Sequence, residues 1–154
     1  YDAESPQRIA HFPPTTKSNA MINAILGKSK SKANFVIASY GSAISLTATY
    51  QLHLIENREE SRPTLRGIGK RLQHIDEDLS RFSDKRLRSK TSGLVLALTG
   101  YQTSLPEAIK SALLSSMKRL KLGRQAKPLE MMPATTINEA NKLLADPEKK
   151  HVLQ

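Results

Sequence analysis

A chain of 154 residues has the length of one ordinary domain, and no apolar run in it approaches the roughly 18–20 residues of a spanning helix. With no cysteine, disulfides, thiolate nucleophiles and Cys-based zinc sites are all excluded, and an apolar fraction of 38%, under the roughly 45–50% of globular chains, assigns part of the chain to tail or linker. Lys and Arg outnumber Asp and Glu by 24 to 14, and the formal charge of +10 points to an anionic partner without specifying a fold.

Residues 1–34 read as a flexible basic arm, in which Pro6, Pro13 and Pro14 set extended backbone and only Met21-Ile22 and Ile25-Leu26 offer apolar contact. Ser18-Asn19-Ala20 ahead of Met21 matches the remnant of a cleavable expression tag, or is coincidence. No signal peptide is read at the start, so any membrane contact is expected to be peripheral. Lys28, Lys30 and Lys32 alternate with small residues in a low-complexity tract with nothing to pack.

From Ala43 to Glu56, Ile44, Leu46, Ala48, Tyr50, Leu52 and Leu54 alternate with polar residues, a period that predicts a half-buried strand. Phe35 to Tyr40 would pair with it across a Gly41-Ser42 turn, as a hairpin. Leu65, Ile68, Leu72, Ile75, Leu79 and Phe82 then recur every three or four residues, the stripe of one amphipathic helix whose opposite face is mixed in sign. Asp84 to Lys90 reads as a basic loop, and Gly93 to Leu98 as a short buried helix stopped by Gly100. Ser104-Leu105-Pro106-Glu107 is a capping-box signature opening a helix with Ile109, Leu113, Met117 and Leu120 on one side, ending at Gly123. Thr136 to Glu139 opens a last helix, stopped at Asp146-Pro147. The expected fold is α+β: a small antiparallel sheet packed on two or three amphipathic helices, with a core over residues 35–132 and a helical tail over 133–154.

Chemistry is sparsely signalled. The four histidines, His11, His53, His74 and His151, have no spacing that brings two onto one metal, and His53 and His74 are expected to face solvent. Asp76-Glu77-Asp78 is sequential, so its carboxylates diverge on a helix and read as a solvated charge run. Gly67-Ile68-Gly69 lies inside a helical pattern, without the lysine of a phosphate loop. No catalytic residue, metal site or cofactor is expected. The aromatic residues sit where a core would use them, which disfavours base stacking as a binding mode.

The cations are better organised. Lys28, Lys30 and Lys32 form one cluster, Lys85, Arg86, Arg88 and Lys90 a second, and Lys118, Arg119, Lys121, Arg124 and Lys127 a third. Each alone reads equally as a solvated face, and cations at a helix C-terminus contribute only about 0.3–1 kcal/mol. Together they predict binding to a nucleocapsid, a nucleic acid or an anionic membrane.

The stretch from Phe35 to Leu122 resembles the core of rhabdovirus matrix proteins. A strand pattern leads through Arg62-Pro63 to an amphipathic helix, Leu96-Ala97-Leu98-Thr99-Gly100 precedes Leu105-Pro106-Glu107 much as in lyssaviruses, and Met117-Lys118-Arg119-Leu120 matches a basic, apolar segment of that family. Pro13-Pro14 is similar to its proline-rich late-domain region but lacks the completing tyrosine, and the tail departs by reading helical. The resemblance implies a structural protein of the virion and the inner membrane face that coats the nucleocapsid and self-associates. The alternative is a helix-turn-helix nucleic-acid module using the basic end of the helix from Pro106 to Leu122.

Overall fold

The computed structural model describes residues 5–28, 33–34, 36–37, 44–98 and 104–131. Among the described residues every regular element is helical and no strand occurs, so the expected α+β fold is replaced by an all-helical one. The α-helices are α1 (Thr16–Asn23), α2 (Ile44–Glu56), α3 (Arg62–Leu72), α4 (Glu77–Arg88), α5 (Leu105–Arg119) and α6 (Gly123–Met131). Single turns of tighter helix at Pro6–Ile9 and Glu59–Ser61 precede α1 and α3, and a widened turn, Ala24–Lys28, continues α1. The chain divides into two compact units, residues 1–93 and 94–154, a boundary that falls inside the stretch expected as one core.

The strand expected over Ala43 to Glu56 is the helix α2. From Thr49 to Leu54 every residue is buried, so the sidedness by which a surface helix announces itself is missing from the sequence. One polar side chain of this helix is satisfied locally: Thr49 Oγ1 donates to the Ser45 carbonyl at 2.8 Å. Of the expected partner strand, Val36 and Ile37 belong to no regular element; its other residues and the Gly41-Ser42 turn lie outside the described residues, as do Lys30, Lys32 and the helix expected from Thr136.

The stripe from Leu65 to Phe82 is two helices. Asp76 takes extended backbone (φ −152°), and its carboxylate accepts from the Leu79 N–H at 2.9 Å while its other oxygen accepts from Asn23 Nδ2 at 3.1 Å. The acidic run is therefore the start of α4, where Glu77 and Asp78 complement the helix dipole. Leu65, Ile68, Leu72 and Leu79 are buried, whereas the break leaves Ile75 at 44% exposure. Since α4 runs on through Arg88 and buries Leu87, the expected basic loop is the last turn of a helix.

The first unit's core joins Ile9, Phe12, Ile22, Tyr50, Leu54, Leu65, Ile68, Leu72, Leu79 and Leu87. Its first three members come from the segment read as an arm. Phe12 stacks on Tyr50 with ring centroids 5.2 Å apart, and Arg71 Nη2 fastens the segment by donating to the carbonyls of Ala10 (2.8 Å) and Phe12 (3.2 Å). Thr15 and Ser18 form a reciprocal capping box at α1, so Ser18 and Asn19 are built into the packed helix.

The short helix expected over Gly93 to Leu98 is irregular backbone, with Leu94, Leu96 and Leu98 exposed by 43–49%. Side chains of α5 satisfy it instead of helical bonds: the Val95 N–H donates to Ser116 Oγ (3.3 Å) and its carbonyl accepts from Arg119 Nη2 (3.1 Å). Gly93 is required where this segment leaves the first unit, since a Cβ there would lie 2.6 Å from Ile55 Cγ2 and 2.9 Å from its carbonyl oxygen. Helix α5 starts at Ser104 as expected, though the Ser104 hydroxyl makes no capping bond. It buries Ala108, Ala112 and Ser116, while Ile109 stays exposed. Gly123 opens α6 rather than ending α5, and the reversal between them is made by Lys121 at φ 59°.

Candidate functional site

The C-terminal end of α2 gathers a serine, a histidine and a glutamate, an inventory that hydrolytic sites share. His53 Nδ1 lies 2.8 Å from Ser61 Oγ and 2.9 Å from Arg58 Nη2, and Arg58 Nε lies 3.4 Å from Glu56 Oε2. A guanidinium only donates, so Nδ1 must accept from it and is poorly placed to take the serine proton. His53, Glu56 and Ser61 are moreover fully buried, which corrects the expectation of a solvent-facing His53 and leaves no approach for a substrate.

This junction is a splice between helices. Asn57, at φ 51°, donates from Nδ2 to the carbonyls of Arg86 (3.0 Å) and Ser89 (2.8 Å) and accepts from Arg62 Nε (3.2 Å). Arg86 donates to the Ile55 carbonyl and, at 3.0 Å, to the Thr91 carbonyl. These bonds fix the end of α2 to the start of α3 and the end of α4, and thereby set how α3 and α4 face one another.

Between α3 and α4 lies a cleft of about 280 Å³. Its floor is locked by Ser80 Oγ, which donates to the Gly69 carbonyl at 2.9 Å. Arg66, Lys70 and Gln73 line it from α3, at the three- and four-residue spacing that shares a helix face, and Asp84 and Arg88 line it from α4. Among the described residues none of the three cations is in an ion pair, and neither is Asp84. One turn away the contrast is clear: Arg81 is held by Glu77 at 2.6 Å and Asp78 at 3.9 Å. The Asp84 charge also reaches Tyr50, which shares a hydrogen bond of 3.0 Å with Ser83 Oγ in the core. Burial pushes the Tyr50 phenol up to about 12; the Ser83 hydrogen bond works against this and the Asp84 charge adds to it.

The expected polyanion-binding residues belong to both units. Lys85, Arg88 and Lys90 are exposed at the end of the first unit's α4, whereas Arg86 is half-buried and committed to backbone carbonyls. Lys118, Lys121 and Arg124 are exposed in the second unit, where Arg119 is bound to the Val95 carbonyl. Lys118 and Lys121 line a cavity of about 480 Å³ between α5 and α6 that also carries Glu130. Lys28 closes the widened turn after α1. Pro13 and Pro14 sit between the buried Phe12 and the cap of α1. Arg66 and Lys70 are missing from the expected set because a single helix over 65–82 makes its outer face mixed in sign. Divided at Asp76, the same charges resolve into a purely basic α3 (Arg62, Arg66, Lys70, Arg71) and an acidic start to α4.

Among the described residues no group of acidic and histidine side chains is arranged to hold a metal ion, and no helix is long and apolar enough to cross a membrane. No family model matches the chain, and no curated protein or solved structure is significantly similar to it.

Proposed function

We propose that the chain is a non-enzymatic binding protein that grips the phosphates of a nucleic acid with the α3–α4 face, through Arg66, Lys70 and Arg88 at the cleft and Lys85 beside them. The observation that carries this reading is the convergence on one cleft of three cations from two helices, none of them in an ion pair among the described residues. Such a group repels itself, and phosphate oxygens relieve that repulsion with release of condensed counterions. In the virion setting that the matrix-like resemblance implies, the ligand is the nucleocapsid and the protein self-associates on it.

Groove reading by a helix-turn-helix is less well supported. A recognition helix lays its N-terminal residues against the bases, whereas the cations of α5, Lys118 and Arg119, lie in its last turn, its first turn carries Glu107, and Arg119 is bound to the Val95 carbonyl. A second reading, peripheral contact with an anionic membrane, is favoured by Leu94, Leu96 and Leu98, exposed on a segment that Arg119 pins beside Lys118.

Binding of single-stranded RNA, duplex DNA and phosphatidylserine vesicles by the wild type and by the Arg66→Ala, Lys70→Ala, Arg88→Ala triple variant separates these readings. The expected result is RNA binding weakened at least about tenfold in the triple variant. Vesicle binding that exceeds RNA binding and survives the triple substitution would transfer the function to the leucine segment. Undiminished RNA binding by the triple variant would remove the cleft from the account.

A further inference from the structure

A cleft made only for phosphate has no use for a carboxylate. Asp84 stands among Arg66, Lys70 and Arg88 without forming an ion pair to any of them. Its charge repels an approaching phosphate, so its presence weakens the site unless the ligand brings a hydrogen-bond donor as well as an anion. The position is defined: Asp84 Oδ1 is 3.8 Å from where a Cβ on Gly69 would stand, so the carboxylate overlies bare α3 backbone at the cleft floor. Gly69 contributes no side chain there, and Ser80, the cleft-lining serine of α4, already donates its proton to the Gly69 carbonyl. Asp84 is exposed and forms no hydrogen bond among the described residues, so its acceptor oxygens are open to a donor carried by a ligand.

We propose that the cleft seats a ribonucleotide unit, the phosphate held by Arg66, Lys70 and Arg88 and the sugar 2′-hydroxyl donating to Asp84, so that the protein prefers RNA to DNA. This rests on the nucleic-acid reading of the same cleft. A volume of about 280 Å³ is small for a ligand site and matches a sugar–phosphate unit better than a whole duplex edge. The 2′-hydroxyl is the group by which a protein tells the two backbones apart at a given position, and a donor given to an ionised carboxylate makes one of the stronger hydrogen bonds available. The carboxylate thus acts as a selector: it disfavours every phosphate equally and is compensated only by a backbone that carries the hydroxyl.

Oligo(rU) and oligo(dU) of equal length carry the same base, and fluorescence anisotropy with both isolates the sugar. The wild type is expected to bind oligo(rU) about tenfold more tightly. Asp84→Ala should tighten oligo(dU) binding, since a negative charge has left the cleft, and bring the ratio close to one. Asp84→Asn, which keeps an acceptor oxygen, should retain part of the preference. Because Asp84 is exposed, these variants are expected to fold, as circular dichroism would verify. Equal affinity of the wild type for the two oligomers, or a preference undiminished in Asp84→Ala, overturns the ribose assignment while leaving the phosphate cleft intact. If neither oligomer binds, the nucleic-acid reading falls, and this inference with it.

Discussion

Single residues in this protein are used in ways their types do not announce. Arg86 has the charge of a ligand-binding group but spends it on the carbonyls of Ile55 and Thr91, and His53 is walled in by Arg58 and Ser61. Tyr50 gives the most direct test at this scale. Its phenol titrates near 10.0 in the unfolded chain and near 12 in the folded one, mainly because burial disfavours the phenolate. Between those values the unfolded state holds fewer protons, so the stabilisation is complete below pH 10 and is lost as pH rises toward 12. A shift of that size corresponds to about 2–3 kcal/mol. Urea unfolding at pH 9 and pH 11.5, which crosses most of that window, should therefore show the wild type losing about 2 kcal/mol more stability than Tyr50→Phe, which has no phenol to ionise. Equal losses in the two proteins would mean that Tyr50 is not sequestered.

Among the elements, the segment preceding α1 carries an unexpected share of the core. Phe12 is fully buried against the Tyr50 ring, and its truncation leaves a cavity where the segment, α2 and α3 meet. Phe12→Ala should lower the unfolding free energy by about 3–5 kcal/mol; a cost below about 1 kcal/mol, read from urea midpoints, would return this segment to the status of an arm. What the sequence made legible follows from what kind of environment each element occupies. The stripe of Leu65, Ile68, Leu72 and Leu79 and the start of α5 at Ser104 were readable because those helices are half in water and keep their period. Helix α2 carries the period of a strand because burial from Thr49 to Leu54 takes its polar residues inside, leaving an accidental alternation with period two. The division at Asp76 was available in principle: an aspartate followed by two acids is a helix start as well as a charge run. A helix start at Asp76 separates basic α3 from acidic-to-basic α4 and places Arg66 and Lys70 among the candidate site residues.

For the whole molecule, the net charge of +10 is the feature that composition conveys correctly, and its distribution is the feature that composition hides. The cations fall into three kinds. Some, such as Arg62, Arg71 and Arg86, bind backbone or side-chain oxygens and hold the helices together. Others, such as Lys85, Lys118 and Arg124, are exposed on one or other of the two units. Arg66, Lys70 and Arg88 share the α3–α4 cleft without an ion pair among the described residues, and this gives them a distinct thermodynamic signature. Each phosphate neutralised on single-stranded RNA contributes about −0.7 to the slope of log K against log salt. The measurement that tests the account most directly is that slope, taken on one RNA oligomer for the wild type and for the Arg66→Ala, Lys70→Ala, Arg88→Ala variant. The account predicts a steep negative slope that becomes shallower by about 2 when the three side chains are removed. Identical slopes for the two proteins, or a wild-type slope near zero, would contradict it.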